Sequence, residues 1–337
     1  MSKGKLLTFA IPTCNGAEFL AGTIDSILSG LPKTHADAVE VLISDNCSSD
    51  ATPQIAEKYC KAFPGAVRYR RNPENLGYDR NVDLAIREAL GEYVWLVGDD
   101  DYLVSGAVPE ILAKLQDVSS LRPAALIVPA DHYNMVRKEM VPAVRPEHDI
   151  VCKDGDSFFR ATMWATSSMA SIIVRRDAWE KVDLGDSFGS QWVHLAGLIK
   201  IMRHQSGIYL SSPTVVVRIR NPRWEGNFGN QLWAGVIHLE ILSRLNATGY
   251  APEIFNDFLR LRMSTNLMAI LTLKPSGLLQ KLRIAWGMAR YLGKFPSFWL
   301  IHFPALMFIP NLPRVKRFFT GLFRSRQAIG RSGGGVA

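Results

Sequence analysis

Short apolar runs alternate with segments of helical periodicity in the N-terminal third of the chain, and this alternation constrains the fold most. Residues 6–11, 39–43 and 93–97 are apolar runs of the composition that buried strands have. The segments between them repeat apolar residues at helical spacing. Strands that alternate with helices in this way predict βαβ units and a mostly parallel α/β sheet flanked by helices.

Polar residues follow three predicted strands at the point where each apolar run ends. These polar clusters begin at Thr13, Asp45 and Asp99. In an open parallel sheet, ligands bind outside the carboxyl ends of the strands. Three separate segments therefore bring polar groups to one edge of the sheet, and we expect the functional site there.

The rest of the chain predicts a continuation of this domain and then a helical region. Further strands are predicted at residues 124–129, 171–174 and 214–219. Long helical patterns begin at Gln231, so we predict a catalytic α/β domain over residues 1–230 and a helical region over 231–330. Residues 331–337 are rich in glycine and predict a disordered tail.

Three consecutive carboxylates, Asp99, Asp100 and Asp101, come directly after a predicted buried strand. Adjacent carboxylates repel one another, and a divalent cation relieves that repulsion. Oxygen ligands of this kind suit Mg²⁺ or Mn²⁺, which would bridge them to a diphosphate. The alternative is a solvated acidic turn, but the position at the end of a strand favours the metal site.

The cysteine pattern and the N-terminus both favour a cytoplasmic protein. The four cysteines are scattered without a C-x-x-C pair, which argues against a zinc site or a disulfide framework. The first apolar run looks like a short signal peptide, but Pro12 interrupts it and no small-residue cleavage site follows. A buried first strand explains this run better.

Charge is distributed unevenly along the chain. Of the 39 Lys and Arg residues, 13 follow Asp257, whereas none of the 31 acidic residues does. The body up to Asp257 therefore carries a net charge of −5 and the remainder carries +13. This asymmetry predicts an anionic partner for the C-terminal region: a lipid surface, nucleic acid or a phosphorylated substrate.

Aromatic residues beside the basic ones favour the lipid surface. Val315, Phe318, Phe319 and Leu322 form a helical stripe flanked by Lys and Arg. Such a helix suits a lipid interface, and its bulky apolar stripe disfavours nucleic acid. The apolar stretches are too short and too broken for a transmembrane helix. We predict peripheral attachment to the inner face of the membrane, the alternative being an ordinary helical subdomain with a solvated basic surface.

The ordered set of motifs resembles the family 2 glycosyltransferases, which have a GT-A fold. The motifs are Ile-Pro-Thr-Cys-Asn at residues 11–15, Ser-Asp-Asn-Cys-Ser-Ser-Asp at 44–50, Asn-Leu-Gly at 75–77 with Asn81, and Gly-Asp-Asp-Asp at 98–101. The resemblance is close over residues 5–105 and looser to about residue 220. It implies transfer of a sugar from a nucleoside-diphosphate donor to a glycan or lipid-linked acceptor, in assembly of bacterial surface polysaccharide or O-antigen.

The resemblance also implies roles for individual residues. The donor would be bound by Pro12, Thr13 and Asn15, by Asp45 at the nucleotide base, by Gly77, Arg80 and Asn81 near the ribose and diphosphate, and by Asp99. The acidic triplet matches the D-x-D metal motif in either of two registers, one with Asp99 and Asp101 and the other with Asp100 and Asp101.

The sequence departs from the family where the catalytic base is expected. Family members often carry a Glu-Asp pair before a helix, and residues 189–195 match that position without a carboxylate. Asp186 is the preferred base candidate, followed by Asp183 and His194. The missing pair leaves a second interpretation open, a non-catalytic membrane scaffold that binds nucleotide sugars. The acidic triplet and Asp45 favour the enzyme, since a scaffold has no need to hold a metal.

Overall fold

The computed structural model describes residues 4–163, 165–212, 215–219, 228–272 and 278–308. The predicted disordered tail and the aromatic stripe over residues 315–322 lie outside these ranges, as does most of the loop before the helical region.

Strands and helices alternate from the N-terminus as the sequence predicts. The strands are β1 (Lys5–Thr13), β2 (Val39–Asp45), β3 (Val67–Arg71), β4 (Gly91–Leu96), β5 (Tyr102–Leu103), β6 (Ala125–Ile127), β7 (Ala130–Asn134), β8 (Glu139–Val141), β9 (Ile150–Cys152), β10 (Ile172–Arg175), β11 (Gly207–Tyr209) and β12 (Val215–Ile219). The helices are α1 (Leu20–Leu28), α2 (Thr52–Ala62), α3 (Tyr78–Arg87), α4 (Ala107–Asp117), α5 (Gly155–Thr162), α6 (Arg176–Glu180), α7 (Val193–Met202), α8 (Phe228–Ala247), α9 (Pro252–Thr272), α10 (Leu278–Leu292) and α11 (Phe303–Phe308), with a π-helical turn at Phe298–His302.

The main sheet has the strand order β3-β2-β1-β4-β10-β6-β11-β9. Strands β3, β2, β1 and β4 are parallel, with Ile11 opposite Ile43 and Ala10 opposite Leu96. All of β2 is buried, as expected of a parallel strand covered on both faces. The parallel half therefore places the ends of β1, β2 and β4 at one edge, and it confirms the predicted mostly parallel α/β fold.

A second sheet, with the order β5-β12-β7-β8, was not predicted from the sequence. Strand β12 pairs antiparallel with β5, which follows the acidic triplet directly. It also pairs parallel with β7. This small sheet matters for the site, since it carries Arg218 on β12 to the segment that contains Asp99–Asp101.

The described residues form two compact units. The first lies within Met1–Trp224 and Ser243–Ile254, and the second within Glu225–Leu242 and Phe255–Ala337. Helices make up the second unit where it is described, and the boundary at residue 230 stays a prediction. In the part of the chain that the structure describes, no helix is long and apolar enough to cross a membrane.

Candidate active site

A cavity of about 490 Å³ lies at the carboxyl edge of the parallel strands. Its size is within the range of small-molecule binding sites. Its walls come from the ends of β1, β2 and β4, the start of α3, the segment before β10, and β12. The lining residues are Pro12, Thr13, Cys14, Asn46, Asn75, Gly77, Tyr78, Asn81, Gly98, Asp99, Asp100, Asp101, Ser168, Met169, Ala170, Val217 and Arg218. The predicted convergence of polar clusters is thus present in the structure.

Thr13 and Asp99 join the ends of the two central strands. The Thr13 hydroxyl donates a 2.6 Å hydrogen bond to Asp99 Oδ2. On the other side, Thr23 Oγ1 lies 2.9 Å from the Asp99 carbonyl and 2.7 Å from the Asp101 carbonyl. Gly16 completes the enclosure, because a Cβ there would stand 2.2 Å from Asp99 Oδ2. The loop after β4 is therefore held from both sides.

All three carboxylates of the triplet are buried, with exposed fractions of 4%, 8% and 5% for Asp99, Asp100 and Asp101. Burial, and next the adjacent Asp100 carboxylate, raise the pKa of Asp101 to about 8. Three carboxyl groups are thus held in one poorly solvated place, where the charged form of Asp101 is disfavoured without a cation. A cation entering the cavity would be stabilised there.

Arg218 is a site residue that the sequence interpretation missed. Its backbone N–H donates to Asp101 Oδ1 at 3.2 Å, and its guanidinium donates to the Asp100 carbonyl. The guanidinium also lies over two rings, 4.8 Å from the centre of Tyr102 and 5.3 Å from that of Phe19. Its position in a predicted strand was the available signal, but only the second sheet brings it to the triplet.

The triplet fits a metal that is completed by its substrate. Among the described residues, no three His, Cys, Asp or Glu side chains already stand in the arrangement of a metal cage. Mg²⁺ is usually held by one or two carboxylates together with substrate phosphates, so a preformed cage is not required. The buried, mutually repelling oxygens of Asp99, Asp100 and Asp101 are suitable donors for such an ion.

Asp45, which the resemblance assigns to the nucleotide base, is completely buried and does not line the cavity. Its Oδ1 accepts hydrogen bonds from the backbone N–H and the hydroxyl of Ser48. Its Oδ2 accepts from the Tyr69 hydroxyl at 2.7 Å, and Arg71 Nε lies at 3.5 Å. The structure thus gives Asp45 the position of a turn organiser, and its contact with a base stays a prediction.

The other predicted donor-binding residues divide between the cavity and its support. Pro12, Gly77 and Asn81 line the cavity together with Thr13. Gly77 has φ +82°, a conformation that favours glycine. Asn15 lies outside the lining, where its Oδ1 accepts from the Ser49 backbone at 2.8 Å and ties two loops together.

Arg80 also lies away from the cavity. Its guanidinium stacks on the ring of Phe188 at 4.6 Å from the centroid. This cation–π contact fixes the start of α3 against the loop before α7.

The three base candidates do not line the cavity. Asp186 pairs with Lys200 Nζ at 2.8 Å and with Arg244 at 3.0 Å. Burial pushes its pKa upward, but hydrogen bonds, first from Lys200, outweigh this effect and lower the pKa. Asp183 accepts from the backbone N–H of Gly185 at 2.9 Å and so organises the same turn.

His194 lies behind the cavity wall and is 3% exposed. Its Nδ1 is 3.5 Å from the hydroxyl of Tyr78, which lines the cavity. Its Nε2 has no hydrogen-bond partner among the described residues. The helix that carries His194 is anchored by Asp79, whose carboxylate accepts from the backbone of Gln191 and Val193.

Comparison with known sequences identifies the family. The profile of Glycosyl transferase family 2 matches residues 8–180, just over half of the 337-residue chain. The chain belongs to glycosyl transferase family 2. The match covers the acidic triplet and the cavity-lining residues from Pro12 to Ala170, so the predicted glycosyltransferase identity is confirmed.

A curated relative agrees with this family assignment. The chain is 28% identical over 241 residues to the abequosyltransferase RfbV of Salmonella typhimurium, covering 65% of this chain and 68% of that protein.

Solved structures confirm the fold. Staphylococcus aureus TarS 1–349 in complex with UDP has a TM-score of 0.60 and 17% identity, covering 90% of this chain and 83% of that one. The mannosyltransferase PcManGT from Pyrobaculum calidifontis, in complex with GDP-Man and Mn²⁺, has a TM-score of 0.54 and 16% identity over 96% and 81% of the two chains. The predicted GT-A-type arrangement is thus shared with these glycosyltransferases.

Proposed function

We propose that this glycosyltransferase takes its sugar from a nucleoside-diphosphate donor and transfers it to a glycan or lipid-linked oligosaccharide during synthesis of cell-surface polysaccharide. One observation carries the proposal: a single cavity is lined both by polar strand ends and by the buried acidic triplet. The polar strand ends can hold a nucleotide, and the acidic triplet suits the cation that accompanies a diphosphate. The likeness to RfbV, an abequosyltransferase, supports the transfer of a sugar.

Asp99, Asp100 and Asp101 would hold Mg²⁺ or Mn²⁺ when the donor binds. Such an ion supplies Lewis-acid stabilisation of the negative charge on the departing nucleoside diphosphate. Thr13 and Thr23 keep the triplet in place through hydrogen bonds to Asp99, and Arg218 donates its backbone N–H to Asp101. The Mn²⁺ complex of the related mannosyltransferase fold supports this choice of metal.

Asp186 stays our leading prediction for the base that takes a proton from the acceptor hydroxyl, although its two cationic partners favour a structural role. Two variants separate these roles. If Asp186 is the base, Asp186→Asn should lower kcat about 10²-fold or more, whereas Lys200→Met should have little effect on kcat. Equal losses in both variants would assign Asp186 to the ion pair.

The proposal is tested with a panel of nucleotide sugars, measuring binding and hydrolysis in Mg²⁺, in Mn²⁺ and in EDTA. We expect one donor to bind only with metal, and to lose that binding in Asp100→Ala and Asp101→Ala. Binding of no donor under any metal condition would refute the proposed donor. Metal-dependent binding of a donor without any hydrolysis would favour the scaffold that binds nucleotide sugars.

We also propose peripheral attachment to an anionic membrane on the cytoplasmic face. On α10, Leu279 and Trp286 are 84% and 72% exposed. Arg283 and Arg290 are also exposed and lie on the same helical face, because the four positions follow an i, i+4, i+7, i+11 spacing. A face that mixes exposed apolar and basic side chains suits a lipid interface.

A further inference from the structure

Two asparagines, Asn46 and Asn75, line the end of the cavity formed by the loops after β2 and β3. Cys14 lies between the same loops, and the acidic triplet comes from a different segment, after β4. If the diphosphate lies at the triplet, as proposed above, the nucleotide base faces the asparagines. The hydrogen-bonding state of these two amides then decides which bases can bind.

Backbone donors fix the orientation of Asn46. Its Oδ1 accepts from the backbone N–H of Leu76 at 2.9 Å and from Asn72 Nδ2 at 2.9 Å. An amide oxygen has two acceptor positions, so both are occupied. Because a backbone N–H can only donate, the amide cannot be reversed without losing the Leu76 bond. Asn46 is 3% exposed, which makes that loss costly.

Asn75 is fixed in the same way. Its Oδ1 accepts from the backbone N–H of Gly77 at 2.9 Å and from Asn46 Nδ2 at 2.8 Å. Its Nδ2 has a weak contact of 3.8 Å with the sulfur of Cys14. The internal network thus consumes the oxygen atoms of both amides. Since one N–H of Asn75 is directed at Cys14, the groups that remain for a ligand are N–H donors, the other one on Asn75 and the second one on Asn46.

We infer that this end of the cavity selects a base that presents two adjacent hydrogen-bond acceptors, and that it disfavours uracil. Cytosine presents O2 and N3 in this way, and guanine presents N7 and O6. Uracil places an N3–H donor between its two carbonyls, and that donor would meet another donor here. The inference rests on the proposed nucleoside-diphosphate donor and adds the class of base.

The carboxylate of Asp45 does not alter this chemistry. It could accept an imino N–H, but its oxygens are occupied by Ser48 and Tyr69 and its side chain is completely buried. Among the residues that line the cavity, the carboxylates all belong to the triplet, at the proposed diphosphate position.

The test measures binding of CDP, GDP, UDP and ADP to the full-length protein by calorimetry, in Mg²⁺ and in Mn²⁺. We expect CDP or GDP to bind about tenfold or more tightly than UDP, since each mismatched polar contact leaves groups unpaired. Comparison of the CDP and GDP affinities shows whether cytosine or guanine is the base that fits.

Asn75→Asp provides the matched change, because it replaces the outward N–H donors by an acceptor oxygen and keeps the oxygen that accepts from Gly77 and Asn46. We expect it to shift the ratio of CDP or GDP affinity to UDP affinity toward UDP by about tenfold or more. Asn134→Asp is the control. Its Oδ1 likewise accepts from backbone N–H groups, of Val136 and Arg137, and it adds the same charge outside the cavity. It should keep the wild-type ratio.

Three outcomes would overturn the inference. The first is UDP binding as tightly as CDP and GDP, and the second is an unchanged ratio in folded Asn75→Asp; both leave the proposed donor class intact. The third is binding of no nucleoside diphosphate at all, which refutes the proposed function as well. Thermal melts of both variants check folding, which is expected to be intact because Asn75 is exposed.

Discussion

The hydroxyl of Thr13 and the carboxylate of Asp99 lie 2.6 Å apart, although 86 positions separate them in the sequence. Removing the hydroxyl leaves a buried carboxylate oxygen without this donor, at a cost of about 1–3 kcal/mol. We expect Thr13→Val to lower the free energy of unfolding by this amount and to weaken donor binding. Denaturant unfolding and donor titration measure the two effects. Thr13→Ser keeps the hydroxyl and should keep both properties, and equal losses in the two variants would contradict this role.

Gly16 is required by the same contact. A Cβ at this position would stand 2.2 Å from Asp99 Oδ2 and 2.3 Å from Thr13 Oγ1. We expect Gly16→Ala to destabilise the fold by about 1–3 kcal/mol, because the buried pair must move apart. At Gly22 in α1, no described residue beyond the adjacent helix backbone comes within 4 Å of the corresponding Cβ position. Gly22→Ala should therefore stabilise the protein by up to about 1 kcal/mol. Thermal melts that show similar shifts for both variants would refute the steric explanation.

The sequence was sufficient to predict the parallel half of the sheet and the edge that carries the site. Long apolar runs such as β2 show their burial directly in composition, and the ends of parallel strands must meet at one edge. The second sheet could not be predicted, because β7 and β8 are short, partly exposed strands whose pairing depends on tertiary contacts. Arg218 was missed for that reason.

The partners of buried polar residues were also beyond prediction. The motif around Asp45 marks a functional loop, but it does not reveal that Ser48 and Tyr69 occupy the carboxylate. Nor does it reveal that Asn46, one position later, lines the cavity. Hydrogen bonds between loops are set by the three-dimensional arrangement, so a sequence pattern indicates the residue types and not their partners.

Arg218 is expected to contribute through its planar guanidinium as well as its charge. The guanidinium lies over Tyr102 and Phe19 and donates to the Asp100 carbonyl. Lysine keeps the charge but cannot stack or donate with the same geometry. We expect Arg218→Lys to lower kcat/KM for the donor about tenfold or more. Arg137, in the exposed hairpin between β7 and β8, pairs at the surface with Glu139. Arg137→Lys is the control and should retain wild-type kinetics; equal effects would contradict the specific role of Arg218.

His194 should make stability depend on pH. Burial lowers its pKa to about 4 from 6.5, against a smaller opposing effect of the Ser167 backbone. The folded protein holds the neutral ring, whereas the unfolded chain binds a proton below about pH 6.5. The stability is therefore fully present above pH 6.5 and is lost as the pH falls toward 4, by up to about 3 kcal/mol.

Urea unfolding between these pH values tests the role of His194. His194→Gln should reduce the loss of stability on acidification. Some dependence should remain, because burial also lowers the pKa of His132. An unchanged pH dependence in folded His194→Gln would contradict the assignment.

The exposed face of α10 should bind anionic lipid. Trp286 is 72% exposed and lies on the same helical face as Arg283 and Arg290, in a region without acidic residues after Asp257. We expect cosedimentation with phosphatidylcholine vesicles that contain phosphatidylglycerol, and much less with phosphatidylcholine alone. Trp286→Ser should weaken binding by removing apolar contact. Arg283→Gln with Arg290→Gln should weaken it further, since each basic residue contributes about 1 kcal/mol near an anionic surface.

Leu90→Ser supplies the control for this lipid-binding experiment. Leu90 is 55% exposed and belongs to the first unit, so its loss removes exposed apolar surface that is not part of α10. Binding should remain at the wild-type level in Leu90→Ser and decrease with added salt in the wild type, because screening weakens attraction to charged lipid. Equal binding to neutral and anionic vesicles, or equal losses in Leu90→Ser and Trp286→Ser, would exclude α10 as the lipid-binding surface.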